Sequence, residues 1–262
     1  MKVSVIGAGA MGGSTVKGFL KTTYFKPSDI TVADPSEQAL NTFIENGVSV
    51  TSDNKAAVAG TDIIMVFVKP WLVESVLKDI SDEMDYKKQI LVVIAAGVKS
   101  DDILSWMRKE DGSTPTLLLA IPNIAIAEKA SMTFLVSVNA KPENVSLIKE
   151  IFDEVGETII TEERLLGAGT TLASCGIAYA MRYIRAAAEG GVQLGFKSAN
   201  AQQIVMQTVK GAVELLQASN MHPEAAIDLV TTPGGVTIKG LNEMEHAGFT
   251  SAVIRGLLAG AK

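Results

Sequence analysis

Val3-Ser4-Val5-Ile6-Gly7-Ala8-Gly9-Ala10-Met11-Gly12 is the stretch that decides the fold. Residues 2–6 form a short β-branched run bounded by glycine, the mark of a buried strand. Gly7, Gly9 and Gly12 follow at G-x-G-x-x-G spacing, and helical apolar spacing runs from Met11 to Leu20. Strand, glycines, helix is the context a dinucleotide-binding loop requires. Gly7 allows the tight turn, Gly9 lets the backbone approach a pyrophosphate, and Gly12 permits close helix–strand packing. With Ala8, Ala10 and Met11 they make the expected NAD(P)H loop; the plainer alternative is a purely structural turn.

Moving outward, short strands are expected at 30–33, 62–68, 89–94, 116–120, 132–138 and 157–160, with helical stretches at 36–45 and 142–155 among the segments between. This alternation predicts an α/β unit: a Rossmann-type, doubly wound, mostly parallel sheet. From Glu162 onward no strand pattern remains, and helices fit 170–194, 198–218, 223–230, 236–247 and 251–259. The expected organisation is therefore a dinucleotide-binding domain over 1–160 and an all-helical substrate and dimerisation domain over 161–262. The run from Leu172 to Leu194 is apolar on more than one face, which a monomer would leave uncovered.

Asp34 closes the second strand, about 20 residues past the glycines, where a carboxylate can accept both ribose hydroxyls of the adenosine half and would repel a 2′-phosphate. Pro35 and Ser36 follow, and no arginine does, so the expected preference is NADH over NADPH. Asp34 could instead cap the helix ahead of Ser36. Val68-Lys69-Pro70 and Ala95-Ala96-Gly97-Val98 sit where further strands end, the edge a ligand crosses in an open α/β sheet. Small residues there leave room for a nicotinamide ribose; Lys69 alone also reads as a solvated strand end.

Far along the chain lies Thr231-Thr232-Pro233-Gly234-Gly235-Val236-Thr237-Ile238-Lys239-Gly240-Leu241. Pro233 stops one helix, two glycines turn the backbone, and a second helix starts near Val236. Its free N–H groups and positive dipole end make an anion site suited to a small carboxylate. The expected donors are the N–H groups of Gly235, Val236 and Thr237, with Thr232 assisting. An ordinary helix–turn–helix joint is the alternative.

The composition, 47% hydrophobic and 20% charged over 262 residues, is that of a globular chain with a full core. A net charge of −6 disfavours nucleic-acid and anionic-membrane partners. One cysteine excludes an internal disulfide framework and fits a reducing compartment. The N-terminal apolar run is too short for a signal peptide, and the longest apolar stretches fall short of the roughly 20 residues that span a bilayer. The expectation is a soluble, cytoplasmic protein, with no metal site.

With both ends read, the chain resembles pyrroline-5-carboxylate reductase over nearly its whole length. The likeness is carried by Gly7–Gly12, Asn54-Lys55, Val68-Lys69-Pro70, Ala95–Val98, Pro122-Asn123, Ala178-Tyr179, Gly190-Gly191 and Pro233-Gly234-Gly235-Val236-Thr237. The glycine fingerprint is common to many dehydrogenases; the Pro-Gly-Gly-x-Thr loop is far more particular. The resemblance implies a helical half that interlocks with a second copy, often within a larger ring of dimers. It implies that Asn54 lies near the adenosine ribose, and that Lys69, Pro70, Ala95 and Asn123 lie near the nicotinamide half. It also implies that Thr232, Gly235, Val236 and Thr237 hold the substrate. The departures are at the domain joint, where Leu172-Ala173-Ser174-Cys175-Gly176-Ile177-Ala178-Tyr179 stands for the usual Leu-Ser-Gly-Ser-Gly-Pro-Ala-Tyr. Further changes are Ile124-Ala125 for Thr-Pro, and Lys239 where a small residue is common.

The activity so implied is reduction of the C=N bond of 1-pyrroline-5-carboxylate to L-proline with hydride from NAD(P)H, the last step of proline synthesis. A cyclic imine near neutral pH is already partly protonated, so no strong general acid is needed. That suits a chain whose only histidines, His222 and His246, both read as surface residues. Thr237 is the expected orienting residue, hydrogen-bonded to the imine nitrogen. Cys175, in an apolar run without a histidine partner, reads as packing. A related imine or keto-acid reductase with altered substrate is one alternative. A β-hydroxyacid dehydrogenase fits less well, because Ala173 stands where that family carries a lysine at the joint. A nucleotide-binding regulatory protein that has lost turnover is the alternative from another class.

Overall fold

A computed structural model describes residues 1–94 and 96–261. It divides into two compact units, Met1–Ser174 and Cys175–Lys262.

The first unit is built on an eight-stranded sheet: β1 Val3–Ile6, β2 Ile30–Ala33, β3 Ser49–Thr51, β4 Ile63–Val66, β5 Ile90–Val93, β6 Thr116–Ile121, β7 Ser131–Ser137 and β8 Gly156–Ile160. Their spatial order is β3-β2-β1-β4-β5-β6-β7-β8, parallel throughout except for the antiparallel β6–β7 pair. The helices of this unit are α1 Ala10–Phe19, α2 Glu37–Ile44, α3 Asn54–Val58, α4 Val73–Ile80, α5 Ser100–Trp106, α6 Pro142–Asp153 and the single turn α7 Leu166–Gly169.

The central strands are apolar on both faces, as a sheet covered by helices on both sides demands. Val3, Val5, Ile63, Met65, Ile90 and Val92 enter one buried cluster. Ile6, Ile64, Val66, Leu91 and Val93 enter the other. A one-residue register slip would exchange the two sets, so the pattern fixes the pairing of Val5 with Val32 and Met65.

The strand β3 was absent from the sequence expectation. It is three residues long, carries Ser49 and Thr51, and lies at the sheet edge, so neither length nor apolar pattern marks it. The last strand ends at Ile160, close to where the sequence places a boundary, yet residues 161–174 belong to the first compact unit. They are tied there by side chains: Glu163 accepts from Ser100, and Ser174 donates to the Pro122 carbonyl. The helix expected over 170–194 is also divided. Thr170–Cys175 form a π turn before α8 begins at Gly176. Thr170 and Thr171 donate back to the carbonyls of Leu166 and Gly167, an arrangement that disturbs regular helix geometry.

The second unit is wholly helical among its described residues: α8 Gly176–Gln193, α9 Ser198–Ser219, α10 Pro223–Leu229, α11 Val236–His246 and α12 Phe249–Gly260. None of the described helices is long and apolar enough to cross a membrane.

Candidate active site

The first constellation forms where β1, β2 and β4 end. Gly7 adopts φ +101° and donates its N–H to the Ala33 carbonyl at 2.8 Å. A Cβ at Gly7 would also lie 3.0 Å from the Phe67 backbone. At Gly12 a Cβ would stand 1.8 Å from the Gly7 carbonyl oxygen, so only glycine lets α1 start this close to the turn. Gly9 is different: it is exposed, and a Cβ there meets nothing within 4 Å. It is the N-cap of α1 and has no side chain to cap it, so the helix presents bare N–H groups at its positive end. Two of the three glycines are thus required by the protein's own backbone, and the middle one leaves space.

Asp34 follows β2 and is half-buried. Its Oδ2 accepts the Ala8 N–H at 2.7 Å and its Oδ1 accepts the Ser36 N–H at 2.8 Å. The capping alternative is thereby resolved locally: Ser36, not Asp34, caps α2 through the Ala39 N–H. Each carboxylate oxygen keeps a second lone-pair site. Val68 is half-buried against Gly7, and Lys69 is exposed with no ion-pair partner among the described residues. Pro70 opens a 3₁₀ turn. Asn54 is the first residue of α3, whose start is capped by Asp53. Ala96 and Gly97 are exposed, with Gly97 at φ +82°; Ala95 lies outside the described residues. Asn123, after β6, is buried, and its Oδ1 accepts the Ala125 N–H at 3.0 Å.

The glycine motif ends at Gly12, and the next turn of α1 adds two residues that the motif does not mark. Ser14 and Lys17 line a cavity of about 370 Å³ together with Gly9 and Ala10. Their i, i+4 spacing from Ala10 and Gly13 is the signal that would have found them.

The second constellation lies in the helical unit. Thr232-Pro233-Gly234-Gly235 closes as a β-turn, with Pro233 at its second position, Gly234 at φ +69° and the Gly235 N–H donating to the Thr232 carbonyl at 2.9 Å. Proline followed by a positive-φ glycine is the type II arrangement. This corrects one expectation. The Gly235 N–H is used inside the turn, so it does not face outward as a donor. The second glycine serves packing: a Cβ there would stand 2.4 Å from Thr232 Oγ1. Val236, Thr237 and Ile238 are then the first residues of α11, with N–H groups that the helix itself cannot satisfy. Gly235 caps without a side chain, and Val236 is 86% exposed. Lys239 is exposed one turn in. His222 caps α10 through its Nδ1, and His246 lies 3.7 Å from Glu243, both on the surface.

A glycine-bounded turn under an uncapped helix, on a sheet of order 3-2-1-4-5-6 with two added strands, defines a protein of the dinucleotide-binding class. Two family descriptions match the chain: "NADP oxidoreductase coenzyme F420-dependent" over residues 2–97 and "pyrroline-5-carboxylate reductase dimerisation" over 163–262. Pyrroline-5-carboxylate reductase 1 of Dictyostelium discoideum is 36% identical over 98% of this chain, which spans 48% of that relative's length. The reductase of Methanosarcina acetivorans is 34% identical over 97% of this chain and 94% of its own. A solved pyrroline carboxylate reductase of Plasmodium falciparum, 24% identical, shares the fold with a TM-score of 0.89 over 100% of this chain and 95% of its own. The chain belongs to the pyrroline-5-carboxylate reductase family, oxidoreductases of proline biosynthesis.

Proposed function

We propose that this chain reduces the C=N bond of 1-pyrroline-5-carboxylate to L-proline, with each compact unit doing one part of the work. The nicotinamide cofactor supplies the hydride, and the protein supplies position and electrostatics. Gly7–Gly12 receive the cofactor's pyrophosphate on the open start of α1, and the empty space over Gly9 fits that use. Asp34 and Asn54 take the adenosine ribose. Val68, Lys69, Pro70, Ala96, Gly97 and Asn123 line the nicotinamide half.

The substrate carboxylate is assigned to the start of α11. Val236 and Thr237 donate backbone N–H groups, Thr232 and Gly234 shape the turn, and Gly235 keeps it tight. Hydrogen bonds to a charged group contribute roughly 1.5–3 kcal/mol each, and the helix dipole roughly 0.3–1 kcal/mol. The Thr237 hydroxyl orients the imine nitrogen. The observation that carries this reading is the uncapped α11 terminus behind a turn that Gly234 closes at φ +69°. NADH oxidation measured with and without pyrroline-5-carboxylate tests it; a rate independent of the imine acid would overturn it.

For the cofactor, Asp34 favours NADH. The Ala8 and Ser36 N–H groups that could receive a 2′-phosphate are already held by its carboxylate. The helical unit we assign to association of two copies, and a ring of such dimers is the larger assembly to look for. Met181, Leu194 and Leu215 are each more than 60% exposed in the single chain, apolar surface that a second copy would cover. Light scattering that returned a monomer at micromolar concentration would reject this.

A further inference from the structure

We propose that residues 163–174 act as a strap that positions the loops following β5 and β6, with Glu163 and Ser174 as its two fixing points. The proposal rests on the assignment of those loops to the nicotinamide half of the site.

Helix α5 begins directly after the 96–99 loop, and Lys99, its N-cap residue, gives it no side-chain cap. The cap comes from 63 residues away. Glu163 Oε1 accepts the Ser100 N–H at 2.8 Å, and Oε2 accepts the Ser100 hydroxyl at 2.5 Å. Ser100 is buried and Glu163 half-buried, so the pair is partly shielded from water. A carboxylate at a helix start, bonded twice, is a strong local restraint. Three residues on, Leu166 packs against the same apolar cluster as Val68 and Val98. Val98 lies in the loop after β5, and Val68 in the neighbouring loop after β4.

The strap then crosses β7. A Cβ at Gly169 would stand 2.9 Å from the Phe134 ring, so the ring occupies the space of a side chain. Phe134 pairs with Ile121, the last residue of β6. The π turn Thr170–Cys175 follows, and within it Ser174 Oγ donates to the Pro122 carbonyl at 3.1 Å. Pro122 immediately precedes Asn123. One short segment therefore holds both loops: at Ser100 after β5 and at Pro122 after β6. π turns often mark functional positions rather than plain scaffolding.

Misplacing a reacting group by a fraction of an ångström lowers the rate of the bound complex more than it weakens binding. The test uses full-length Glu163→Ala, Glu163→Gln and Ser174→Gly, with two readouts. Hydrogen exchange of the amides in 96–106 should quicken by about tenfold in Glu163→Ala. With NADH and pyrroline-5-carboxylate, kcat should fall by about tenfold, while both KM values stay within about threefold. Glu163→Gln should recover most of kcat, since its amide can accept the Ser100 N–H and donate to the hydroxyl. Ser174→Gly should lower kcat by about threefold and quicken exchange at 123–128. Faster exchange with unchanged kcat would overturn the positioning role, and so would a fall in kcat without faster exchange. Should Glu163→Ala fail to fold, Ser174→Gly carries both readouts. If the wild type is inactive on this imine, faster exchange still upholds the strap, and only the substrate assignment falls.

Discussion

The molecule uses a glycine-rich turn into an uncapped helix twice, and the two instances differ in what the glycines do. At Gly7–Gly12 the turn is built into the sheet. Gly7 bonds to β2, Gly12 lies on the Gly7 carbonyl, and Asp34 ties Ala8 from the neighbouring strand. At Thr232–Thr237 the turn stands on helices alone, closed by its own Gly235–Thr232 bond and open at Val236. A helix start set in a sheet is rigid by itself. One on a helical surface depends on its own turn and on whatever binds there.

Substitutions break this comparison in order of size. Gly12→Val should do the most damage. Its Cβ would overlap the Gly7 carbonyl, a rigid backbone atom, so both cofactor binding and thermal stability should collapse, at a cost of several kcal/mol, about that of severe overpacking. Gly9→Val should separate the two losses. Nothing stands within 4 Å of its Cβ, so Tm should shift by only a few degrees while NADH affinity falls by about a hundredfold or more. A calorimetric scan beside a fluorescence titration reads both; equal losses of stability in the two variants would remove the distinction.

At the second turn the nearest neighbour is a side chain that can rotate, with the Thr232 carbonyl oxygen next at 3.0 Å. Gly235→Ala meets Thr232 Oγ1, so it should cost stability only about 1 kcal/mol while lowering kcat/KM for the imine acid by about tenfold. Cofactor affinity should not change. A variant that lost NADH binding instead would show that the two turns are not separate sites. The smallest effect is expected at Asp34→Asn, which removes the charge and keeps the acceptor for the Ala8 N–H. The ratio of kcat/KM for NADH to that for NADPH should fall by several-fold, about 1 kcal/mol. No change in that ratio would leave Asp34 with a structural role only.

What could be read from the sequence follows the same division. The strands of the sheet announce themselves because both faces are buried, leaving Val3–Ile6, Ile63–Val66 and Ile90–Val93 without polar residues other than Ser4. The role of Gly12 is readable because its closest neighbour, the Gly7 carbonyl, lies five residues away, and that of Gly7 because its φ of +101° favours glycine. The Gly235 N–H is not free as the sequence pattern suggests, because the Thr-Pro-Gly-Gly signature fixes a turn that uses it. β3 escaped notice as a short polar edge strand. The bonds of Glu163 to Ser100 and Ser174 to Pro122 span 63 and 52 residues, and no local pattern encodes a partner at that distance.

The most direct test of the carboxylate site is Thr237→Ala, assayed with pyrroline-5-carboxylate as the varied substrate and paired with an NADH titration. The backbone donors of Val236 and Thr237 survive the change, and only the hydroxyl is lost. The expected result is a fall in kcat/KM of about tenfold or more, some 1.4 kcal/mol in the barrier, with the NADH dissociation constant unchanged. Wild-type turnover by this variant would contradict the account, because the imine would then be oriented somewhere other than the start of α11.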